Sequence, residues 1–336
     1  MSKVLCFGEL LLRLSPQLGG EWIKQSAIPV FVGGAELNTA TAIACWGESV
    51  SYCTALPNNY LSKEITSEIQ WRGVDVASVI FSGARIGTYY LPQGTDLKGA
   101  GVIYDRAYSS FSELETEQIN WDEIFTDVSW FHFSAISPAL NANVAAVCLE
   151  AVKAASQKGI TISVDLNFRA KLWQWGKQPS DVMPELVQYC DVVMGNIWAE
   201  EKMLGIPVAK ALSDNKEAYL EQSLNSSKAL VATFPKCRQV GNTFRFDEGD
   251  GVRYYATLFA DDQLTVSPEQ HTAFIVDKVG SGDTFMGGLI YGNRKGWDAQ
   301  QTVDFAAAAA FNKLFIKGDA TTATVAEINK SFSTHV

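Results

Sequence analysis

The sequence predicts an α/β fold, a mostly parallel central sheet with crossover helices and a small β-sheet lid over its mouth. Three observations carry that expectation. Apolar strand-like runs alternate with helical patterns along most of the 336 residues, the signature of parallel strands joined by helices. Residues 86–109 interrupt this rhythm with two aromatic-bearing strands joined by a loop, which is a hairpin and not a crossover. Residues 276–291 set a glycine turn between an apolar run and a helix. No repeat, low-complexity tract or linker divides the chain, so 1–336 reads as one domain.

In chain order, residues 4–7 form a short buried strand ended by Gly8-Glu9, and 10–14 read as its more exposed extension. Residues 15–32 are polar and turn-rich, with Trp22, Ile28 and Val30 spaced for a thin sheet. Gly33-Gly34 opens a small-residue helix to about residue 44. A strand at 51–54, a helix at 62–72 ending at Gly73 and a strand at 74–81 follow. The hairpin of 86–109, with a turn region at 94–101, joins residues 12–31 as the lid. Alternation resumes with a strand at 130–134, a helix at 141–158 and a strand at 161–165. Residues 192–195 form a strand that runs into a helix, and 229–233 read as the next strand. Hairpins are expected across 238–260, around Gly241-Asn242 and 248–251. A strand at 273–276 leads into the glycine turn, whose helix continues through Gly292. An Ala-rich helix at 299–316 and a last helix at 325–332 end the chain.

Composition narrows the function. With 27 Lys and Arg against 37 Asp and Glu, the net charge is −10, and no basic tract appears. Nucleic acid and anionic membrane surfaces are therefore excluded as partners, and an anionic substrate has to be met by a local set of Arg, Lys and backbone amides. The six cysteines are scattered singly without a Cys-x-x-Cys pair, and so read as reduced core thiols. The three histidines, 132, 271 and 335, lack metal-ligand spacing, which argues against structural zinc. The first residues enter a strand directly, without a leader or a long apolar span, and place the protein in the cytoplasm.

The chemistry centres on Gly280-Ser281-Gly282-Asp283. Glycines there allow a sharp turn and leave amides uncovered, and the helix start adds unpaired N–H groups and partial positive charge. Such a turn cradles phosphate oxygens. Asp283 reads two ways on these residues alone. It is either a helix N-cap or a base that takes the proton of an attacking hydroxyl while the amides stabilise the transferring group. Gly33-Gly34 before an Ala-rich helix likewise serves either close packing or ligand approach.

With Asp277 upstream, Phe285 and Gly287-Gly288 downstream, the turn resembles the C-terminal signature of the ribokinase-like (PfkB) carbohydrate kinases. Lys278 and Ser281 depart mildly from its usual Thr and Ala. Gly33-Gly34-Ala35-Glu36-Leu37-Asn38-Thr39-Ala40 resembles the N-terminal motif of the same family, in the form familiar from its 2-keto-3-deoxygluconate kinase branch. The resemblance covers nearly the whole chain and implies a ribokinase-like three-layer α/β/α domain. It also implies that ATP gives its γ-phosphoryl group to the 6-hydroxyl of 2-keto-3-deoxygluconate, with Asp283 as base and Gly280, Ser281 and Gly282 as the amide cradle. Kinases for neutral sugars of the fructose or ribose type, and a non-catalytic sugar-acid sensor, stay open as alternatives.

The same resemblance assigns the remaining site residues. Gly34 and Asn38 approach the sugar. Tyr89, Tyr104 and Arg106 fall on one face of the lid hairpin, and the Arg fork suits a carboxylate; Tyr-x-Arg resembles the segment that holds the acid group. Asp165-x-Asn167-x-Arg169 with Trp173 matches a family run at a strand end, with Arg169 contacting substrate carboxylate or phosphate and Asn167 donating on the phosphate side. An Arg169–Asp165 ion pair is the plain alternative. Asn196 and Glu200, four apart on one helical face, look like the Asn-x-x-x-Glu pair that organises Mg²⁺ through waters. Thr233 and Lys236 face the nucleotide in this reading, although the glycines usual after that strand are missing. The Ala-rich helix, with Asn312, borders the adenine, and Gly318-Asp319 closes it. A monovalent cation such as K⁺ beside the turn, and a dimer or higher oligomer through the aromatic lid, complete the expectations.

Overall fold

The computed structural model describes residues 2–17, 22–24, 26–93 and 101–333. The expected turn at 94–101 therefore falls largely outside the described residues, as does His335. The chain opens with β1 (Lys3–Phe7), β2 (Leu11–Leu14), β3 (Val30–Gly33) and α1 (Ala35–Cys45), then β4 (Val50–Leu56), α2 (Tyr60–Trp71), β5 (Val79–Phe81), β6 (Gly87–Tyr90) and β7 (Ile103–Asp105). The middle contains α3 (Trp121–Ile124), β8 (Val128–Ser134), α4 (Ala142–Gln157), β9 (Thr161–Asp165), α5 (Pro179–Val187), β10 (Val192–Gly195) and α6 (Ile197–Leu204). Then come α7 (Lys216–Thr233), β11 (Gln239–Glu248), β12 (Gly251–Ala260), β13 (Gln263–Val266), β14 (Gln270–Thr272), α8 (Ser281–Lys295), α9 (Ala299–Lys313) and α10 (Val325–Ser333).

Among the described residues a ten-stranded sheet runs β13-β12-β11-β10-β9-β8-β1-β4-β5, with β14 also on β12. It is parallel from β11 to β5 and antiparallel at its β12, β13 and β14 edge. Alternation along β1 sends Leu5 and Phe7 to a core shared with α4, α5 and α6, and Val4 and Cys6 to one shared with α1, α8 and α9, because successive strand residues point to opposite faces. Helices on both faces give the three-layer α/β/α arrangement of the ribokinase-like fold. Asn59, Asn141, Asn196, Asn215 and Asp298 start their helices by accepting a backbone N–H, which satisfies a donor the helix itself leaves unpaired.

A second sheet of four strands, β3-β2-β6-β7, brings residues of 12–31 and 86–109 together. Its β2–β6 pair is parallel and its outer pairs antiparallel. Here β2 belongs to the lid and does not extend β1. Residues 74–81 hold a strand only at β5. The stretch 229–233 is the end of α7, not a strand; buried Tyr219, Ser223, Ser226, Ser227 and Leu230 keep a helical rhythm that the apolar run of 229–232 hides. Gly241-Asn242 lies inside β11, and its glycine serves packing: a Cβ there would meet Leu289 Cδ1 at 2.9 Å. The strand expected at 273–276 ends at Thr272, and Phe274 is exposed.

Candidate active site

The lid and the C-terminal strand ends enclose a cleft of about 760 Å³. Ligands bind at such strand ends in open α/β sheets. Gly34, Asn38, Tyr89, Tyr104, Arg106, Asn167, Arg169, Asn196, Gly280, Ser281, Gly282 and Asp283 all line it. Chain segments far apart in sequence thus meet at one place.

The two turn glycines are required for different reasons. Gly280 has φ +82°, and a Cβ there would lie 1.7 Å from the Asp319 carbonyl oxygen, so both conformation and space exclude a side chain. Gly282 has ordinary φ, and its Cβ would find only Met194 Cε at 3.9 Å. A side chain at 282 would therefore project into the cleft and fill the cradle. Ser281 spends its hydroxyl on the Ala310 carbonyl at 2.9 Å, fastening α8 to α9 and leaving only its amide for a ligand.

Asp283 sits on the first turn of α8, only 9% exposed, and accepts from Asn38 Nδ2 at 2.7 Å. Burial pushes its carboxyl up to about 7, against the pull of the Asn38 bond, with Asp165 raising it further and Arg169 lowering it. A carboxyl near neutrality can exchange a proton with a bound hydroxyl. The other amide atom, Asn38 Oδ1, is buried without a partner in the protein, and such an acceptor calls for a donor from a ligand.

The lid face is prepared in the same way. Arg106 is 5% exposed and donates from Nε to Glu9 Oε2 at 2.6 Å. Its Nη2 is ion-paired with the same oxygen at 2.5 Å, so Glu9 holds the Nε–Nη2 edge of the fork while the residue lines the cleft. Ser109 donates its hydroxyl to Glu9 Oε1. Tyr89 faces Tyr104 across β6 and β7, but its hydroxyl donates to Asp319 Oδ2 at 3.1 Å. Arg13 of β2 holds both Asp319 Oδ1 and Asp277 Oδ2 at 2.7 Å, tying the lid to the glycine turn.

Residues 1–323 match the pfkB family carbohydrate kinase family. The chain is a PfkB family carbohydrate kinase. A 2-dehydro-3-deoxygalactonokinase from Haloferax volcanii is 26% identical to it over 98% of this chain and 96% of that protein. Fructokinase-1 from Oryza sativa is 25% identical over 85% of this chain and 81% of that protein. The crystal structure of a 2-dehydro-3-deoxygluconokinase from Thermotoga maritima superposes with TM-score 0.90 at 36% identity, covering 99% of this chain and 100% of that one.

Four expected site residues lie elsewhere in this kinase. Thr233 is exposed at the end of α7 and bonds its own helix at Ala229. Lys236 reaches the Tyr189 carbonyl at 2.7 Å and Asp191 at 3.4 Å. Both partners precede β10, at the opposite end of the strands from the cleft. The residue count misled here because the next strand is β11, so Thr243 and Arg245, not 233 and 236, line the cleft. Asn312 lies on α9 and does not line it. Glu200 points inward, fully buried, with Oε1 accepting from Asn242 Nδ2 at 2.5 Å, and burial lifts it to about 7. Asn196 lines the cleft while its Oδ1 caps α6 through Ala199 N.

Sequence reasoning also missed the roles of Glu9, Arg13, Lys202, Arg245 and Lys278; Lys278 stands inside the glycine-turn signature, while the other four carry no motif. Lys202, Arg245 and Lys278 join Arg106, Arg169 and Lys171 to give the cleft six basic side chains against two acidic ones, Asp165 and Asp283. An acidic protein thus presents a locally cationic cleft, suited to anions. Among the described residues no group of three or more His, Cys, Asp or Glu could hold a metal ion. Glu200 Oε2 has no partner in the protein. That single acceptor fits the way Mg²⁺ is bound, through its own waters and substrate phosphates. No helix among the described residues is long and apolar enough to cross a membrane.

Proposed function

We propose that this kinase phosphorylates a sugar acid, 2-keto-3-deoxygluconate, at its 6-hydroxyl with ATP as donor. A guanidinium lining the cleft beneath the lid, Arg106, aimed by Glu9 along one edge, supports a carboxylate-bearing sugar over a neutral one. The similar proteins from Haloferax volcanii and Thermotoga maritima, both described as kinases of 2-dehydro-3-deoxy sugar acids, point the same way.

In this reading Gly34, Asn38, Tyr89, Tyr104, Arg106 and Arg169 orient the acid so that its hydroxyl meets Asp283. Asp283 takes the hydroxyl proton as the oxygen forms a bond to the γ-phosphorus and the bond to the leaving ADP oxygen breaks. The amides of 280–283 receive the transferring group, and Asn167, Thr243, Arg245 and Lys278 face the nucleotide phosphates. Asn196 at the cleft, with buried Glu200 behind it on α6, would hold Mg²⁺, which would supply positive charge to those phosphates. Asn38 keeps Asp283 aimed, and the closed lid excludes water as a competing acceptor. The missing glycines after Thr233 have no bearing on this site, which weakens the sensor reading. The reading extends to self-association through the lid edge strands β3 and β7, where Val30 and Ile103 are more than half exposed; a monomer by light scattering removes that part.

The test is ADP release measured with 2-keto-3-deoxygluconate, its 4-epimer, fructose and ribose. We expect the two acids to be turned over and the neutral sugars poorly. Fructose as the best substrate would move the assignment to the fructokinases, and no turnover of any sugar would remove the enzyme.

A further inference from the structure

Lys313, in the last turn of α9, is fully buried, and the mechanism above does not use it. A buried ammonium is costly unless its charge is needed. Its Nζ donates to the Ile316 carbonyl at 2.9 Å, and its Cε lies 3.4 Å from where a side chain on Gly280 would begin. The lysine therefore runs directly behind the glycine turn. The charged groups facing it are Asp277 from the loop before the turn, Asp319 from the loop after α9, Arg13 from β2, and Asp283 from α8. Tyr89 of β6 contributes its hydroxyl to Asp319.

The charges there are nearly in balance. Arg13 bridges Asp277 and Asp319, one cation for two carboxylates, and Lys313 is the second cation. Without it a surplus negative charge would stand behind amides whose task is to receive an anion, in surroundings where water screens little.

We propose that Lys313 is a positioning residue for phosphoryl transfer, its buried ammonium balancing Asp277 and Asp319 so that the 280–283 amides stay positive toward the incoming phosphoryl group. The inference rests on the kinase reading above. Burial lowers Lys313 to about 8, against the pull of Asp277 and Asp319, so the charge is lost as pH rises through that value. The lysine should then set an alkaline limit to kcat.

The experiment compares phosphoryl transfer from ATP to 2-keto-3-deoxygluconate between pH 6.5 and 9.5 in the wild type, Lys313→Met, Lys313→Ala and Lys313→Arg. The wild type should lose kcat above pH about 8. Lys313→Met should fall about tenfold or more in kcat with little change in KM for the sugar, and its profile should lose the alkaline limb. Lys313→Arg, charged throughout, should keep activity to higher pH, and ammonium chloride should restore part of kcat to Lys313→Ala. Wild-type kcat in Lys313→Met overturns the proposal. So does an alkaline limb near pH 8 that survives in Lys313→Arg, a comparison that still decides if the Met and Ala variants fail to fold. A loss that neither ammonium nor arginine repairs reduces Lys313 to a structural residue. A wild type that phosphorylates no sugar overturns the kinase reading itself, and this inference with it.

Discussion

Two side chains in the cleft hold opposite charge problems. Asp283 is buried and raised to about 7, so in the proposed base role it acts only once deprotonated. We expect kcat/KM to climb as pH rises through about 7, up to the alkaline limit set by Lys313 near pH 8. Asp283→Asn, which keeps the Asn38 contact within reach, should still bind sugar by calorimetry yet lose about 10²–10⁴-fold in kcat; turnover close to wild type would take the base role from it. Arg106 has the reverse difficulty, a guanidinium out of water with Glu9 on one edge. Truncating it alone strands the Glu9 charge, so Arg106→Gln is best made together with Glu9→Gln. Losing one charge-assisted contact, worth about 1.5–3 kcal/mol, should raise KM for the sugar acid roughly 10–100-fold. The KM for fructose should hardly move, and an equal rise for both would mean that Arg106 shapes the pocket without reading the acid.

At the scale of elements, α8 and its turn join sequence, conformation and chemistry. Gly280→Ala forces a side chain onto a left-handed residue and against the Asp319 carbonyl, and should destabilise the protein by at least about 1–3 kcal/mol. Gly282→Ala meets nothing but Met194 Cε, so its melting temperature should stay near wild type while nucleotide affinity drops. Equal effects on stability and binding in the two variants would show that the turn is only a packing device. This turn was legible from sequence because glycine reports backbone need directly, and the lid hairpin because it breaks the strand–helix alternation, whereas the Gly34 to Asn38 segment was equally open to plain close packing and only its resemblance to the family's N-terminal motif marked it. Other parts were not. The end of α7 resembled a strand because Ala229 to Ala232 is apolar, while between Tyr219 and Leu230 its buried face is made of serines and a glutamine that carry no hydrophobic signal. Arg13, Glu9 and Lys313 matter through partners hundreds of residues or several elements away, and no local pattern encodes such pairings.

Over the whole molecule, titration works against catalysis. Glu36, Glu200 and Asp283 are each buried and raised to about 7, chiefly by loss of water, whereas in the unfolded chain they titrate near their ordinary values. Between about pH 4.5 and 7 the folded state therefore holds protons at these sites that the unfolded state has released, and stability falls as pH rises across that window. His132 acts in the opposite sense: burial lowers it to about 3, so below about 6.5 the unfolded chain holds a proton the folded one lacks. Three carboxyls against one histidine leave a net of two protons, a slope near 2.7 kcal/mol per pH unit at most. The carboxylates of Glu48 and Glu269 are held below their usual range by Arg and Lys partners, and their contribution is lost only at more acid pH. Urea unfolding should thus give greater stability at pH 5.5 than at pH 7.5, while activity increases in the other direction because Asp283 must ionise. Replacing Glu36, which lies under Gly8 and accepts from Ser134 N and Oγ, with Gln should flatten this slope by about one proton and leave the kcat profile near pH 7 in place. A slope that does not change in Glu36→Gln would mean that this carboxyl is already ionised in the folded protein, and that its serine partners, not burial, set its charge.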